Sequence, residues 1–238
     1  MNGKRINFYE ENNFGTYKSY HVIGKQTDFF GAYWHDDNYG MVRYAPYDNK
    51  AGKKIWIWGL SRQGMIWEKI LTDSDGQYAE IQSGRLFNQN AQNSSFTPFK
   101  HVSFTPHATD TWKEYWYPVN KTNGIVVAGE FAALNVKIEN GFLKWYCSPV
   151  AFFNDTLEIH VDGKRLVKKA ISAKPLQTII DSIKIGFGKN DLSISLKKQQ
   201  LTWKSDPNFN ALSRPLETPT KFEWNSAEGL VIQGKELM

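Results

Sequence analysis

Apolar and polar positions alternate along most of the chain, the two-residue period of a β-strand, in which successive side chains point to opposite faces. That period predicts short strands over residues 6–10 (INFYE), 17–24 (YKSYHVIG), 28–36 (DFFGAYWHD), 40–46 (GMVRYAP) and 53–59 (KKIWIWG). The segments between them hold the Gly, Asn and Asp that turns require. Residues 62–76 (RQGMIWEKILTDSDG) fit a short helix or an irregular loop. Residues 88–110, rich in Asn, Gln, Ser, Thr and Pro, read as a long loop, and alternation returns in TWKEYWYPV (111–119). Beyond residue 127 the rhythm tightens. AALNVKIENGFLKWYCSPV and TLEIHVDGKRLVKKA are hairpins turning at Asn-Gly and Asp-Gly, and QTIIDSIKI, DLSISLKK and QQLTWKS bring the count to about seven strands in under 80 residues. That is the size and rhythm of an immunoglobulin-like sandwich without its disulfide, with Leu134, Val136, Leu157, Ile159, Val161, Leu192, Ile194, Leu196 and Trp203 as its core. A proline-rich linker follows, and FEWNSAEGLVIQGKELM predicts a helix capped by Asn225 or Ser226, with Leu230 and Leu237 on one face.

The stretch from Lys53 to Arg85 is the densest in candidate chemistry, with Trp56, Trp58 and Trp67 inside twelve positions. As strands, it sets Trp56 and Trp58 on one face, and Tyr78, Glu80 and Gln82 on one face, with aliphatic residues behind. Flat rings flanked by hydrogen-bonding groups suit a sugar, whose C–H faces stack on aromatics while its hydroxyls need donors and acceptors. TWKEYWYPV repeats the theme, with Trp112, Glu114 and Trp116 alternating. The candidate groove is therefore lined by Trp34, Trp56, Trp58, Gln82, Arg85 and Trp116. Glu80 and Glu114 are the candidate carboxylates, with His35 and His107 on bordering loops. The competing explanation is structural: buried tryptophans with the carboxylates neutralised in Glu80–Arg85 or Glu114–Arg43 bridges.

The runs GKKIWIWGLSRQGMIWEKILTDSDGQYAEIQSGRLFNQ and TDTWKEYWYPV resemble a domain of unknown function found in large bacterial proteins. The resemblance implies a galactose-mutarotase-like supersandwich, often followed by tetratricopeptide repeats, and brings no assigned activity with it. The expected architecture is all-β: a mutarotase-like sheet domain over 1–128, whole or the later part of one, an immunoglobulin-like sandwich over 129–205, and over 206–238 a linker with one C-terminal helix opening a helical repeat. A whole supersandwich takes roughly twice the residues available before the second domain. In aldose mutarotases a histidine protonates the ring oxygen and a carboxylate takes the anomeric proton. His21, His35, His107, Glu80 and Glu114 are residues of those types, and none lies in a motif matching that enzyme's catalytic residues.

Charge and composition narrow the function classes. The net charge of +5 is concentrated between Lys164 and Lys204, where ten basic residues face two acidic ones. Lysines alternating with strand residues there describe a solvated outer face rather than a nucleic-acid stripe. No apolar run approaches the roughly 18 residues of a membrane span, and MNGKRINFYEENN is polar from the start, so if a parent chain is exported to the cell envelope or exterior its signal peptide lies upstream. The lone Cys147 is in phase with Leu143 and Trp145, as a buried thiol. His35-Asp36-Asp37-Asn38 reads as turn chemistry, the Asp73–Gly76 turn fails the calcium-loop pattern, and no zinc, phosphate-loop or dinucleotide pattern occurs, so neither metal nor cofactor is expected. The function expected is carbohydrate binding or processing on the aromatic, acidic sheet face. The alternative is a non-catalytic scaffold whose downstream repeats hold a protein partner.

Overall fold

The computed structural model describes residues 4–13, 17–21, 27–47, 49–50, 52–72, 78–84, 105–186, 191–210, 223–227 and 229–231. Among them the elements run β1 (Tyr17–His21), β2 (Phe29–Trp34), β3 (Tyr39–Tyr44), β4 (Gly52–Trp58), α1 (Arg62–Leu71), β5 (Ala79–Gly84), β6 (Tyr115–Asn120) and β7 (Val127–Ala128). They continue with β8 (Ala132–Glu139), β9 (Phe142–Pro149), β10 (Phe153–Val161), β11 (Lys164–Ala173), β12 (Ile179–Lys184), β13 (Leu192–Leu196) and β14 (Leu201–Lys204). The strands form four antiparallel sheets, ordered β1-β4-β5, β2-β3-β6, β12-β9-β8-β7 and β11-β10-β13-β14. The fold is mostly β, as the alternation predicts.

The described residues group into two compact units. One lies within Met1–Gly24, Lys50–Thr109 and Ser213–Met238, the other within Lys25–Asn49 and Asp110–Leu212.

In the first unit the sheet β1-β4-β5 carries α1 between its second and third strands. Ser61 caps the helix, its Oγ accepting from the Gly64 N–H at 3.2 Å. Buried Glu68 accepts the Tyr78 N–H at 2.6 Å, which anchors the start of β5. This settles residues 62–71 as helix. The strand expected over 6–10 is a correction: Tyr9–Glu11 is a 3-10 turn. Asn12 Nδ2 donates to the Ile6 and Phe8 carbonyls at 3.1 and 2.6 Å, and Glu11 accepts from the Arg5 N–H and Nε. These local bonds take carbonyls that a sheet ladder would need. At the other end of the chain a helical turn begins at Ala227, and Ser226 Oγ accepts from the Gly229 N–H at 3.0 Å, so the cap falls on one of the two expected residues. Leu237 is outside the described residues.

The second unit is built on its middle sheet, β12-β9-β8-β7. Runs of consecutive buried residues in β8 and β9 mean that both faces of this sheet are covered. One face packs Leu134, Val136, Leu143, Trp145 and Cys147 against Leu157, Ile159, Leu192, Ile194 and Leu196 of the β11-β10-β13-β14 sheet. Every core residue expected from the alternation belongs to this cluster, with Val161 and Trp203 at its margin. The other face packs Ala128 and Ala133 against Val42, Tyr117 and Val119 of the β2-β3-β6 sheet.

Polar groups at that second seam are satisfied. The Tyr117 hydroxyl donates to the Gly129 carbonyl at 2.6 Å, Asn135 Nδ2 donates to the Thr122 and Asn123 carbonyls, and Ser148 Oγ accepts the Asn120 N–H. Both expected hairpins form with two-residue turns. Asn140 and Gly141, and Asp162 and Gly163, all take positive φ, the condition for a tight turn that matches strand twist. The strand expected over 111–119 begins only at Tyr115, and Pro118 sits in β6 at a sheet edge, where its missing N–H removes no ladder bond.

Cys147 is fully buried, and burial pushes its thiol up to about 12. A polar thiol reagent should leave it unmodified in the native protein and label one thiol per chain once urea unfolds it; prompt labelling of the native protein would contradict this packing.

Candidate functional site

β4 lies between β1 and β5, and the register places Ser19 and Glu80 on either side of Trp56, Tyr17 beside Trp58, and His21 and Gln82 on either side of Lys54. Cross-strand neighbours share a face, so these side chains form one surface, with Tyr20, Ile55, Ile57 and Ile81 on the opposite one. The division of β4 and β5 into an aromatic, polar face and an aliphatic face is the one the alternation predicts. Sequence reasoning missed Tyr17 and Lys54, although alternation in YKSYH already aligns Tyr17 with Ser19 and His21. What it lacked was the pairing of β1 with β4.

Trp56 is the hub of this surface. Tyr17 stacks on it with ring centres 5.8 Å apart at 22°, while Tyr78 and Trp58 meet it edge-on at 6.2 and 4.7 Å. Trp58 in turn stacks on Trp67 of α1 at 5.2 Å and 7°, which locks the helix to the sheet. Glu80 is oriented from both sides: the Tyr78 hydroxyl donates to Oε1 at 3.0 Å, and Gln82 Nε2 donates to Oε2. Lys54 is buried to 9% exposure; burial lowers its ammonium below the ordinary lysine range, and the Glu80 charge opposes that shift. Ser19 Oγ and His21 Nε2 are 3.2 Å apart. The surface thus offers a stacked aromatic pair, a carboxyl group held in place, and amide, hydroxyl and imidazole groups around it.

Trp34, His35, Glu114 and Trp116 belong to the other unit. On the β2-β3-β6 sheet the register aligns Phe30, Arg43 and Trp116, then Ala32, Met41 and Pro118, then Trp34, Tyr39 and Asn120. Trp34, Tyr39 and Trp116 are 39%, 40% and 43% exposed, an aromatic row on one sheet face. Arg43, beside that row, is fully buried; its Nε donates to Glu114 Oε2 at 2.9 Å. Its two terminal nitrogens have no hydrogen-bond partner among the described residues. The Glu114–Arg43 bridge weighed from the sequence is therefore formed. Glu114 itself lies ahead of β6 rather than within a strand, so it does not share a strand face with Trp116 as expected.

His35 is exposed in the β2–β3 turn, its ring 5.2 Å from Tyr33. Asn38, closing that turn, has φ 52° and accepts from the Tyr33 hydroxyl at 2.5 Å, which is turn chemistry as read. His107 is exposed at φ 63° in the turn where the Ala108 N–H meets the Thr105 carbonyl. Arg85 lies outside the described residues. Among the described residues no group of three or more His, Cys, Asp or Glu is placed to hold a metal ion, and no helix is long and apolar enough to cross a membrane.

Compared with known proteins, residues 1–119 match the model of a family described as a domain of unknown function, DUF5107. No solved structure matches the chain.

Proposed function

The chain belongs to the DUF5107 family, and from the geometry of its side chains we propose that it is a carbohydrate-binding module whose ligand lies on the aromatic, acidic face of the β1-β4-β5 sheet. The observation that carries this reading is the Tyr17–Trp56 stack set beside a carboxylate that Tyr78 and Gln82 hold in place. Tyr17 is half exposed, which suits stacking of a sugar's C–H face, and Glu80 suits acceptance from its hydroxyls. The exposed row of Trp34, Tyr39 and Trp116 is a second surface of the same chemical kind.

In the same reading the β1-β4-β5 sheet belongs to a mutarotase-like sheet domain, and the β12-β9-β8-β7 and β11-β10-β13-β14 sheets form an immunoglobulin-like sandwich. The helical turn at Ala227 then opens a tetratricopeptide-type repeat.

The test is a glycan array followed by tryptophan-fluorescence titration with mono- and oligosaccharides. Saturable binding is expected, with Trp56→Ala and Glu80→Gln each weakening it about tenfold, or about 1.4 kcal/mol, while the circular dichroism spectrum shows that the fold is retained. Binding unchanged by both substitutions would move the ligand off this face. Failure of every sugar would favour the scaffold reading, in which the β units present helical repeats to a protein partner.

A further inference from the structure

The second unit contains a cleft of about 600 Å³ where the start of β2 and the end of β3 meet β7, the 129–131 turn and the β13–β14 turn. That is the size of a small-ligand site. Its chemistry is uneven. Asp28 and Glu130 both line it, and both bear on the Tyr44 phenol, which burial first and then their charges raise above the ordinary tyrosine range. Asp28 Oδ1 accepts the Tyr47 N–H at 2.7 Å, and Glu130 Oε1 accepts the Tyr115 hydroxyl. Among the described residues no lysine or arginine forms an ion pair with either carboxylate. Lys198 is the cation in the lining, and the Lys113 ammonium stands 5.9 Å from the Tyr115 ring outside it.

Phe29, Phe131, Gln199 and Gln200 line the same cleft as the two acids. Phe131 meets the Tyr115 ring edge-on at 6.0 Å and is 38% exposed. Two carboxylates without an ion-pair partner among the described residues, in a cleft that aromatic side chains also line, attract a positive charge. Amides attract hydroxyls, and phenylalanine rings attract C–H surface. One ligand class satisfies all three.

We propose that this cleft binds an amino sugar with a free, protonated amine, its ammonium between Asp28 and Glu130 and its hydroxyls on Gln199 and Gln200. None of these residues belongs to the β1-β4-β5 face, so the two sites stand or fall separately.

The experiment is titration of the full chain with glucosamine, glucose and N-acetylglucosamine, followed by calorimetry or by chemical-shift changes at the Gln199 and Gln200 amides. Glucosamine should bind at least tenfold more tightly than either neutral sugar, and the preference should shrink as salt rises. Glu130→Gln should weaken glucosamine about tenfold. Lys198→Gln, an exposed substitution that removes the opposing charge, should tighten it. Both variants should leave binding on the Trp56 face unchanged, and Trp56→Ala should leave glucosamine affinity unchanged. Equal binding of glucosamine and glucose, no shift at the two amides, or wild-type affinity in both cleft variants would overturn the proposal.

Discussion

Replacing Glu114 with alanine should lower the stability of the protein by about 3 kcal/mol or more, read as a fall in the urea midpoint at neutral pH. Arg43 has no solvent exposure, and the Glu114 carboxylate, itself 23% exposed, lies 2.9 Å from its Nε. Removing that carboxylate leaves a guanidinium whose terminal nitrogens already have no hydrogen-bond partner among the described residues. A buried charge stripped of its counter-ion costs far more than the same change at the surface, because water cannot take the partner's place. Raising the salt concentration should recover little, since a buried pair is poorly screened. The double substitution Arg43→Met with Glu114→Gln should return most of the loss, because the methionine keeps much of the volume against Phe30 and Trp116 and brings no charge to desolvate. A wild-type midpoint for Glu114→Ala would mean that Arg43 has another source of neutralisation. Equal losses in the single and double variants would mean that packing, not charge, sets the cost.

The Arg43–Glu114 pair also marks where sequence reading stops. The partners are 71 residues apart, and they were visible only as one of two charge pairings, the other being Glu80–Arg85. Alternation, in contrast, is local. It located β2, β3 and β4, both hairpins of the later strands, and the aromatic and aliphatic sides of β4 and β5. The turns at Asn140-Gly141 and Asp162-Gly163 were legible for the same reason, since positive φ selects Asn, Asp and Gly at fixed offsets.

Pairing order was not legible. The strands of the first half separate into β1-β4-β5 and β2-β3-β6, so Trp56 gained Ser19 and Glu80 as neighbours while Trp116 gained Arg43. Nothing in the period of an isolated strand states which partner it takes. The 3-10 turn at Tyr9 was missed because Asn12 and Glu11 bind backbone groups behind them, a side-chain effect that hydrophobic period ignores. The cleft was missed altogether, because Asp28, Glu130 and Gln199 come from three segments joined only by the packing of sheets.

Asp155 shows how that packing is held, and its loss should be as severe as that of Glu114. It is 1% exposed, and both its oxygens accept backbone N–H groups: Oδ1 from Thr156 at 2.6 Å and Lys198 at 2.9 Å, Oδ2 from Gln199 at 3.1 Å. Two of those donors belong to the β13–β14 turn, so one carboxylate on β10 fixes the turn that forms a wall of the cleft. Hydrogen bonds to a charged acceptor contribute about 1.5–3 kcal/mol each. They are not additive, so Asp155→Ala should cost about 3–5 kcal/mol in urea unfolding. Asp155→Asn is the sharper probe. Its remaining oxygen still accepts from Thr156 and Lys198, while its new NH2 group confronts the Gln199 N–H, donor against donor. It should cost about 1–3 kcal/mol and speed amide exchange at Gln199 more than at Lys198. If the amino-sugar reading of the cleft holds, Asp155→Asn should also weaken glucosamine several-fold while leaving the Trp56 face unaltered. Unfolding of Asp155→Ala at the wild-type urea concentration would show that the turn keeps its shape without the carboxylate, and would remove this link between the buried acid and the cleft wall.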